Sequence, residues 1–333
     1  MANGKKYDVY GIGNALVDME FEVEADFLKE AGIEKGLMTL VDENRQHEIV
    51  NTLHGIQHKR SCGGSAANTM IAVSQFGGKS FYSCKVAHDE VGDFYFKDLL
   101  ENGVETNLKK EKLEAGITGK CIVLITPDAD RTMNTFLGIT QNFSVNELVE
   151  ENIKLSNYLY MEGYLVASPT GKTAAIKARE VAEAHGVKTA ITFSDVNMVH
   201  YFKDGLAEMM GNGVDLLFCN EAEAMAFTQA KSIQEAAKEL RKIAKKFAVT
   251  LGPKGAFVFD GEKEIFVVTT PVEAVDTNGA GDLFAGAFLY AINSGKTMAE
   301  AGKLGCMASS QLVTQFGARL RREQALEIKS RAF

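Results

Sequence analysis

The stretch AVDTNGAGDLFAGAFLYA, residues 274–291, decides how this chain is read. Its second half is apolar at helical spacing and continuous enough for a buried helix. Its first half sets Gly279, Ala280, Gly281 and Asp282 at the start of that helix. An aspartate in a first turn is favoured by the positive end of the helix dipole. Glycines there let a ligand approach bare backbone. The N–H groups from Asn278 to Asp282 can then converge on one point, a concave row of amides that holds a phosphoryl group without a cationic side chain. A carboxylate beside such a cradle accepts the proton of an attacking hydroxyl. Two readings of Asp282 fit, a helix cap after a glycine turn and a general base at an anion site.

Upstream, apolar runs of strand length alternate with helix-period segments. DVYGIG, FYSCKVA, NYLYMEG, KTAITF, DLLFCN and AVTLG read as strands, with GKTAAIKAREVAEAHGV and SIQEAAKELRKIAKKF among the helices between them. This alternation predicts an α/β protein, a mostly parallel sheet with helices on both faces. Two stretches break the rhythm. Residues 19–41 alternate like a strand around a short helix, and residues 116–139 read as a hairpin about a PDAD turn. We expect them to pair into one small sheet. Residues 1–18, 42–115 and 140–333 then form the large domain.

The totals narrow the function. Across 333 residues, 36 Lys and Arg stand against 44 Asp and Glu, so no basic field favours nucleic acid as a partner. The 5 cysteines are scattered, with no zinc-type spacing. No run approaches the 18 apolar residues expected of a membrane span, and the start carries no apolar leader, so a cytoplasmic protein is expected. GIGNAL (11–16) lacks the third glycine of a dinucleotide fingerprint, since Leu16 stands there. The two GKT triplets have Val166 and Tyr290 where a P-loop needs glycine.

Two further motifs are ambiguous locally. In CNEAEA (219–224), Asn220 and Glu223 fit either a capping box or a pair organising hydrated magnesium. In CGGSAANTM (62–70), Gly63 and Gly64 precede a helix and would admit a hydroxylated ring, with Asn68 beside it. Asp18 has two oxygens with which to hold vicinal hydroxyls.

Taken together, DTNGAGD with LFAGAFL, GGSAAN, NEAE and VTLGPKGA, in this order over about residues 7–320, resemble the PfkB (ribokinase-like) carbohydrate kinase family. Met70 departs from the small residue usual after GGSAAN. The resemblance implies a three-layer α/β/α domain with a small β-lid, and an ATP- and magnesium-dependent kinase acting on a primary hydroxyl. It implies that Asp282 is the base and that Gly279, Ala280 and Gly281 form the anion hole. By the same resemblance, Asn14, Asp18, Gly63, Gly64 and Asn68 hold the sugar, Asn220 and Glu223 organise magnesium, and Thr250, Gly252 and Gly255 border ATP. Asp276, Asn278 and Gly317 fall where relatives bind a potassium-like ion.

GNALVD and GGSAAN look most like the adenosine-kinase branch, and Arg131 fits that branch's lid arginine. Met38 stands where the branch commonly has glutamine, which implies loose discrimination among purines. The base would lie against Met38, Leu40, Phe136 and Leu137. A sugar kinase of the ribose or fructose type, a kinase for another nucleoside such as inosine or guanosine, and a non-catalytic nucleotide-binding protein share most of these features. A monomer or homodimer is expected.

Overall fold

The computed structural model describes residues 4–53, 59–128 and 130–333. Ala129 of the expected PDAD turn and His54, the end of a helix expected near 44–54, lie outside the described residues. The strands are β1 (Tyr7–Ile12), β2 (Leu16–Glu22), β3 (Met38–Leu40), β4 (Lys59–Gly63), β5 (Ser80–Ser83), β6 (Glu105–Thr106) and β7 (Gly119–Ile125). They continue with β8 (Arg131–Phe136), β9 (Ser156–Glu162), β10 (Lys188–Thr192), β11 (Val214–Asn220), β12 (Ala244–Thr250), β13 (Ala256–Phe259) and β14 (Glu264–Val267).

Among the described residues, nine strands form the main sheet in the order β14-β13-β12-β11-β10-β9-β1-β5-β6. The sheet is parallel except at the β12-β13-β14 edge. Its apolar runs are buried on both faces, as a sheet covered by helices requires. One face packs on helices Ser65–Gln75, Ala280–Asn293 and Met298–Leu312, the other on Pro169–Ala184, Val196–Met210 and Ile233–Leu240. The strand order reverses between β1 and β9, which opens a crevice beyond their carboxyl ends.

Helix Ile233–Leu240 is half as long as the periodicity of SIQEAAKELRKIAKKF suggests. Strand β12 takes Ala244–Thr250 instead, pairing Phe247 with Leu217 and burying it while Lys245 and Lys246 stay exposed. Sheet pairing overrides helix propensity there.

The small sheet runs β3-β8-β7-β2-β4. The hairpin β7–β8 pairs with both strands of the first insertion, placing Asp18 opposite Cys121. On its other side β2 pairs with β4, with Ser61 opposite Asp18, so the small sheet also takes a strand from a segment that the sequence assigned to the main body. KRSCG shows no alternation and runs into a glycine pair, so its own pattern does not mark a strand. Helices Ala25–Glu30 and Glu43–Thr52 cover the outer face, burying Leu28, Ile49 and Leu53 against Phe21, Ile122 and Leu124.

One close approach positions the site. Gly286 lies where a Cβ would overlap Ala72 and the Thr69 carbonyl, so helix Ala280–Asn293 sits tight on helix Ser65–Gln75. That contact delivers Asp282 to Ser65 and Asn68.

Candidate active site

A cavity of about 290 Å³ opens at the β1/β9 crevice, beneath the small sheet. Thr277 to Asp282 form one wall. Gly279 caps the helix at φ 71°, a left-handed conformation suited to glycine, and a side chain there would also overlap Ala318. Leu283 donates the helix's backbone bond to Gly279 O at 2.8 Å. The amides of Gly281 and Asp282 precede it, and first-turn N–H groups have no partner within a helix.

Asp282 is gripped from the neighbouring helix. Ser65 Oγ donates to Oδ1 at 2.7 Å and Asn68 Nδ2 to Oδ2 at 3.0 Å. Burial raises its carboxyl above the ordinary aspartate range, against those two hydrogen bonds and the charges of Arg131 and Arg319. Arg131 reaches over from β8, with Nη1 donating to Asn278 Oδ1 at 3.3 Å.

Asp18 faces the same cavity from β2 and is buried. A Cβ on Gly63 would overlap its carboxylate, and one on Gly64 would overlap Asn14 O, so each glycine admits a neighbouring polar group. Burial, reinforced by Glu20, pushes the Asp18 carboxyl up to about 8, with Arg319 opposing. The folded chain therefore holds this proton more tightly than the unfolded chain. The resulting stability is full below the unfolded value of 3.8 and is lost as pH rises through about 8. Asp18→Asn removes the buried charge. We expect the ligand-free variant to melt about 2 °C or more above the parent at pH 9, while binding its acceptor at least about tenfold more weakly. Calorimetry with and without acceptor checks both; an unchanged melting point with normal binding contradicts the assignment.

The cavity also has an apolar lining. Met38 and Leu40 from β3, Met133 from β8, Leu137, Tyr164 and Met198 provide it. Phe136 does not. Alternation along β8 turns Arg131, Met133 and Thr135 towards the cavity, and Phe136 lines a separate shallow depression with Gly116 and Ile139.

On the remaining side, Asn220 and Glu223 form the capping box. Glu223 N donates to Asn220 Oδ1 at 2.8 Å, and both Glu223 oxygens accept from Asn220. Both residues also line the cavity. Burial pushes the Glu223 carboxyl up to about 7, with Asp195 and Asp282 adding to the effect. Carboxylates converging in this way would be relieved by a divalent cation. Among the described residues no cluster of three or more His, Cys, Asp or Glu forms a complete metal cage. The arrangement suits magnesium, which keeps waters and takes most other ligands from phosphates.

Thr250 lines the cavity, whereas Gly252 and Gly255 lie outside it. Gly255 serves the β12–β13 turn at φ 102°, where a Cβ would overlap Val267 O. Asp276 lies behind the amide row, fully buried. Its oxygens accept from Asn278 N and Gly317 N, each at 2.8 Å. Among the described residues it has no ion-pair partner, and a buried carboxylate with two backbone donors and no cationic side chain fits a monovalent cation.

Several residues were not legible as site residues. Ser65 sits inside the glycine motif, and Tyr164 and Met198 are unmarked by any motif. Glu162 ends β9, where its carboxylate accepts from Asn14 N and Nδ2 at 3.2 and 3.1 Å and from Ala66 N at 2.9 Å. Burial pushes it up to about 7. Its position at the carboxyl end of a central strand was the available signal.

An amide cradle, a gripped carboxylate and a crevice under a small sheet define a phosphoryl-transfer enzyme of the ribokinase type. The chain belongs to the pfkB family of carbohydrate kinases, whose model matches residues 36–325. It is an ATP-dependent phosphotransferase acting on a hydroxyl group. The structure is similar to that of adenosine kinase from Sinorhizobium meliloti, with TM-score 0.92 and 35% identity, covering 98% of this chain and 100% of that one. It is equally similar in shape to a probable sugar kinase protein from Rhizobium etli CFN 42, with TM-score 0.92 and 31% identity, covering 99% and 100%. Among curated proteins, adenosine kinase from Saccharomyces cerevisiae is 26% identical over 328 residues, covering 92% of this chain and 94% of its own length. No helix among the described residues is long and apolar enough to cross a membrane.

Proposed function

We propose that this kinase phosphorylates the primary hydroxyl of adenosine, giving AMP. The carrying observation is that one cavity is lined by both polar and apolar side chains around Asp282. Asn14, Asp18 and Asn68 supply the polar groups that a ribose needs, close to Asp282. Met38, Leu40, Met133, Leu137 and Tyr164 supply an apolar slot of the kind a flat base fills. Similarity to adenosine kinases supports the choice.

In this reading Asp18 and Asn14 bind the ribose diol, which orients the primary hydroxyl towards Asp282. The hydroxyl proton passes to Asp282, and its oxygen forms a bond to the γ-phosphorus of ATP while the bond to ADP breaks. The amides of Gly279 to Asp282 hold the equatorial oxygens. Asn220 and Glu223 would hold a hydrated magnesium ion, which would supply charge neutralisation on the phosphates. Thr250 borders the nucleotide. The small sheet closes as a lid that excludes water and brings in Arg131. Asp276 would hold a potassium-like ion, which would steady the loop that bears the cradle.

Side-by-side kinetics with adenosine, inosine, guanosine, ribose and fructose test the substrate. We expect kcat/KM for adenosine to exceed that for ribose by about 10³-fold or more, because binding energy from the base orients the reacting hydroxyl. Met38 offers no paired hydrogen bonds to the base, so inosine and guanosine should follow within a smaller factor. A free sugar outperforming every nucleoside removes the adenosine assignment and leaves a sugar kinase. Repeating the assay with potassium or a large organic cation at constant ionic strength tests the ion, and equal rates in both salts exclude it.

A further inference from the structure

Arg319 lies on the loop after helix Met298–Leu312, two residues beyond Gly317, and its side chain is almost entirely buried. It turns inward towards β4 and helices Ser65–Gln75 and Glu90–Glu101. Nε donates to Asn68 Oδ1 at 3.0 Å, Nη1 donates to Asp98 Oδ2 at 2.7 Å, and Nη2 donates to Cys62 O. Cys62 N donates to the same Asp98 oxygen at 3.2 Å, so the guanidinium is held by a carboxylate already tied to β4. Burial opposes ionisation of Asp98, yet Arg319 keeps its carboxyl below the usual range.

The consequence lies in Asn68. An amide side chain has one accepting and one donating end, nearly identical in shape. A guanidinium has only donors, so the Arg319 contact requires Asn68 to turn Oδ1 towards it. Nδ2 is then the end left for Asp282, where it donates to Oδ2 at 3.0 Å. With the amide reversed, an acceptor would face a carboxylate. Lysine could replace the charge of Arg319 but not its fork, which engages Asn68, Asp98 and the Cys62 carbonyl together.

We infer that Arg319 is a positioning residue for phosphoryl transfer, setting the direction of the Asn68 amide so that Asn68 donates to Asp282 and holds that carboxylate towards the acceptor hydroxyl. This rests on Asp282 being the base. Arg319 itself does not line the cavity; its charge is felt at Asp282, and its only hydrogen-bonded route to that carboxylate among the described residues is through Asn68. The same guanidinium ties that side chain to β4, the strand that carries Gly63 against Asp18.

The test uses Arg319→Met together with Asp98→Asn, so that no buried carboxylate is left without its partner. Compared with Asp98→Asn alone, the double variant should keep its melting transition and its KM for ATP, and lose about tenfold or more in kcat. In an Asn68→Ala background the same Arg319→Met change should cost less than about twofold, because the intermediary is already gone. Arg319→Lys should recover little of the lost rate. A second readout needs no turnover. The Asn68 side-chain amide resonance, assigned by its loss in Asn68→Ala, should be protected from exchange in the parent and exposed in the double variant.

A kcat within twofold of Asp98→Asn alone, an equal loss with and without Asn68, or an amide still protected after Arg319 is removed would each overturn the inference. If the double variant does not fold, Arg319→Lys carries the test alone: near-parent kcat with an unshifted Asn68 amide refutes it, and reduced kcat with an exposed amide supports it. If the parent phosphorylates no acceptor at all, the kinase proposal fails while the amide measurement still decides the role of Arg319.

Discussion

Asp282→Asn should lower kcat by about 10² to 10⁴-fold while leaving nucleotide binding close to normal. The substitution keeps the size of the side chain and the start of the helix, but removes the group that takes the proton. It also places an amide where Ser65 Oγ and Asn68 Nδ2 both donate to a carboxylate, so one of those hydrogen bonds loses its acceptor. The parent should also show a pH signature. A base works when deprotonated, and burial raises the Asp282 carboxyl above its ordinary range. Activity should therefore be present above that raised value and fall away below it, at a higher pH than an ordinary aspartate would give. Single-turnover rates against pH, with ATP binding measured separately, check the assignment. Near-normal turnover in the variant reduces Asp282 to a helix cap.

Arg131→Met should cost about 10³-fold in kcat, the lower end of what a transition-state arginine supplies in other phosphoryl-transfer enzymes. Arg131 starts β8, on the small sheet, yet its guanidinium donates to Asn278 at the edge of the amide cradle. It thus brings a positive charge from the small sheet to the edge of the cradle. Methionine keeps most of the apolar stem, so packing along β8 should survive. KM for the acceptor should change far less than kcat, because the missing interaction belongs to the transferring group. A variant within threefold of the parent would put Arg131 outside the transition state.

How far the site could be read from the chain depends on how local each part is. The cradle and its aspartate lie within five residues, and the Asn220–Glu223 pair within four, so spacing alone exposes them. Glu162 and Arg319 act across the fold instead. Arg319 meets Asn68 across a sequence separation of 251, and no motif marks it. Strand β4 escaped because pairing with β2, and not its own pattern, makes KRSCG a strand. Phe136 was assigned to the base slot by composition, and strand alternation turns it away. The helix expected through Phe247 failed for a related reason, since sheet partners decided that segment. Local chemistry was legible; direction and pairing were not.

The cluster beneath helices Ala25–Glu30 and Glu43–Thr52 gives the small sheet an interior of its own. Of its cavity-facing side chains, Met133 packs with Cys121, Val123 and Ile125 of the small sheet itself, whereas Met38 also rests on the core of the large body. Acceptor choice can drift through a few substitutions on one piece while the phosphoryl-transfer apparatus on the other stays unaltered. Such a division makes the scaffold evolvable, and the matching folds of an adenosine kinase and a probable sugar kinase accord with it.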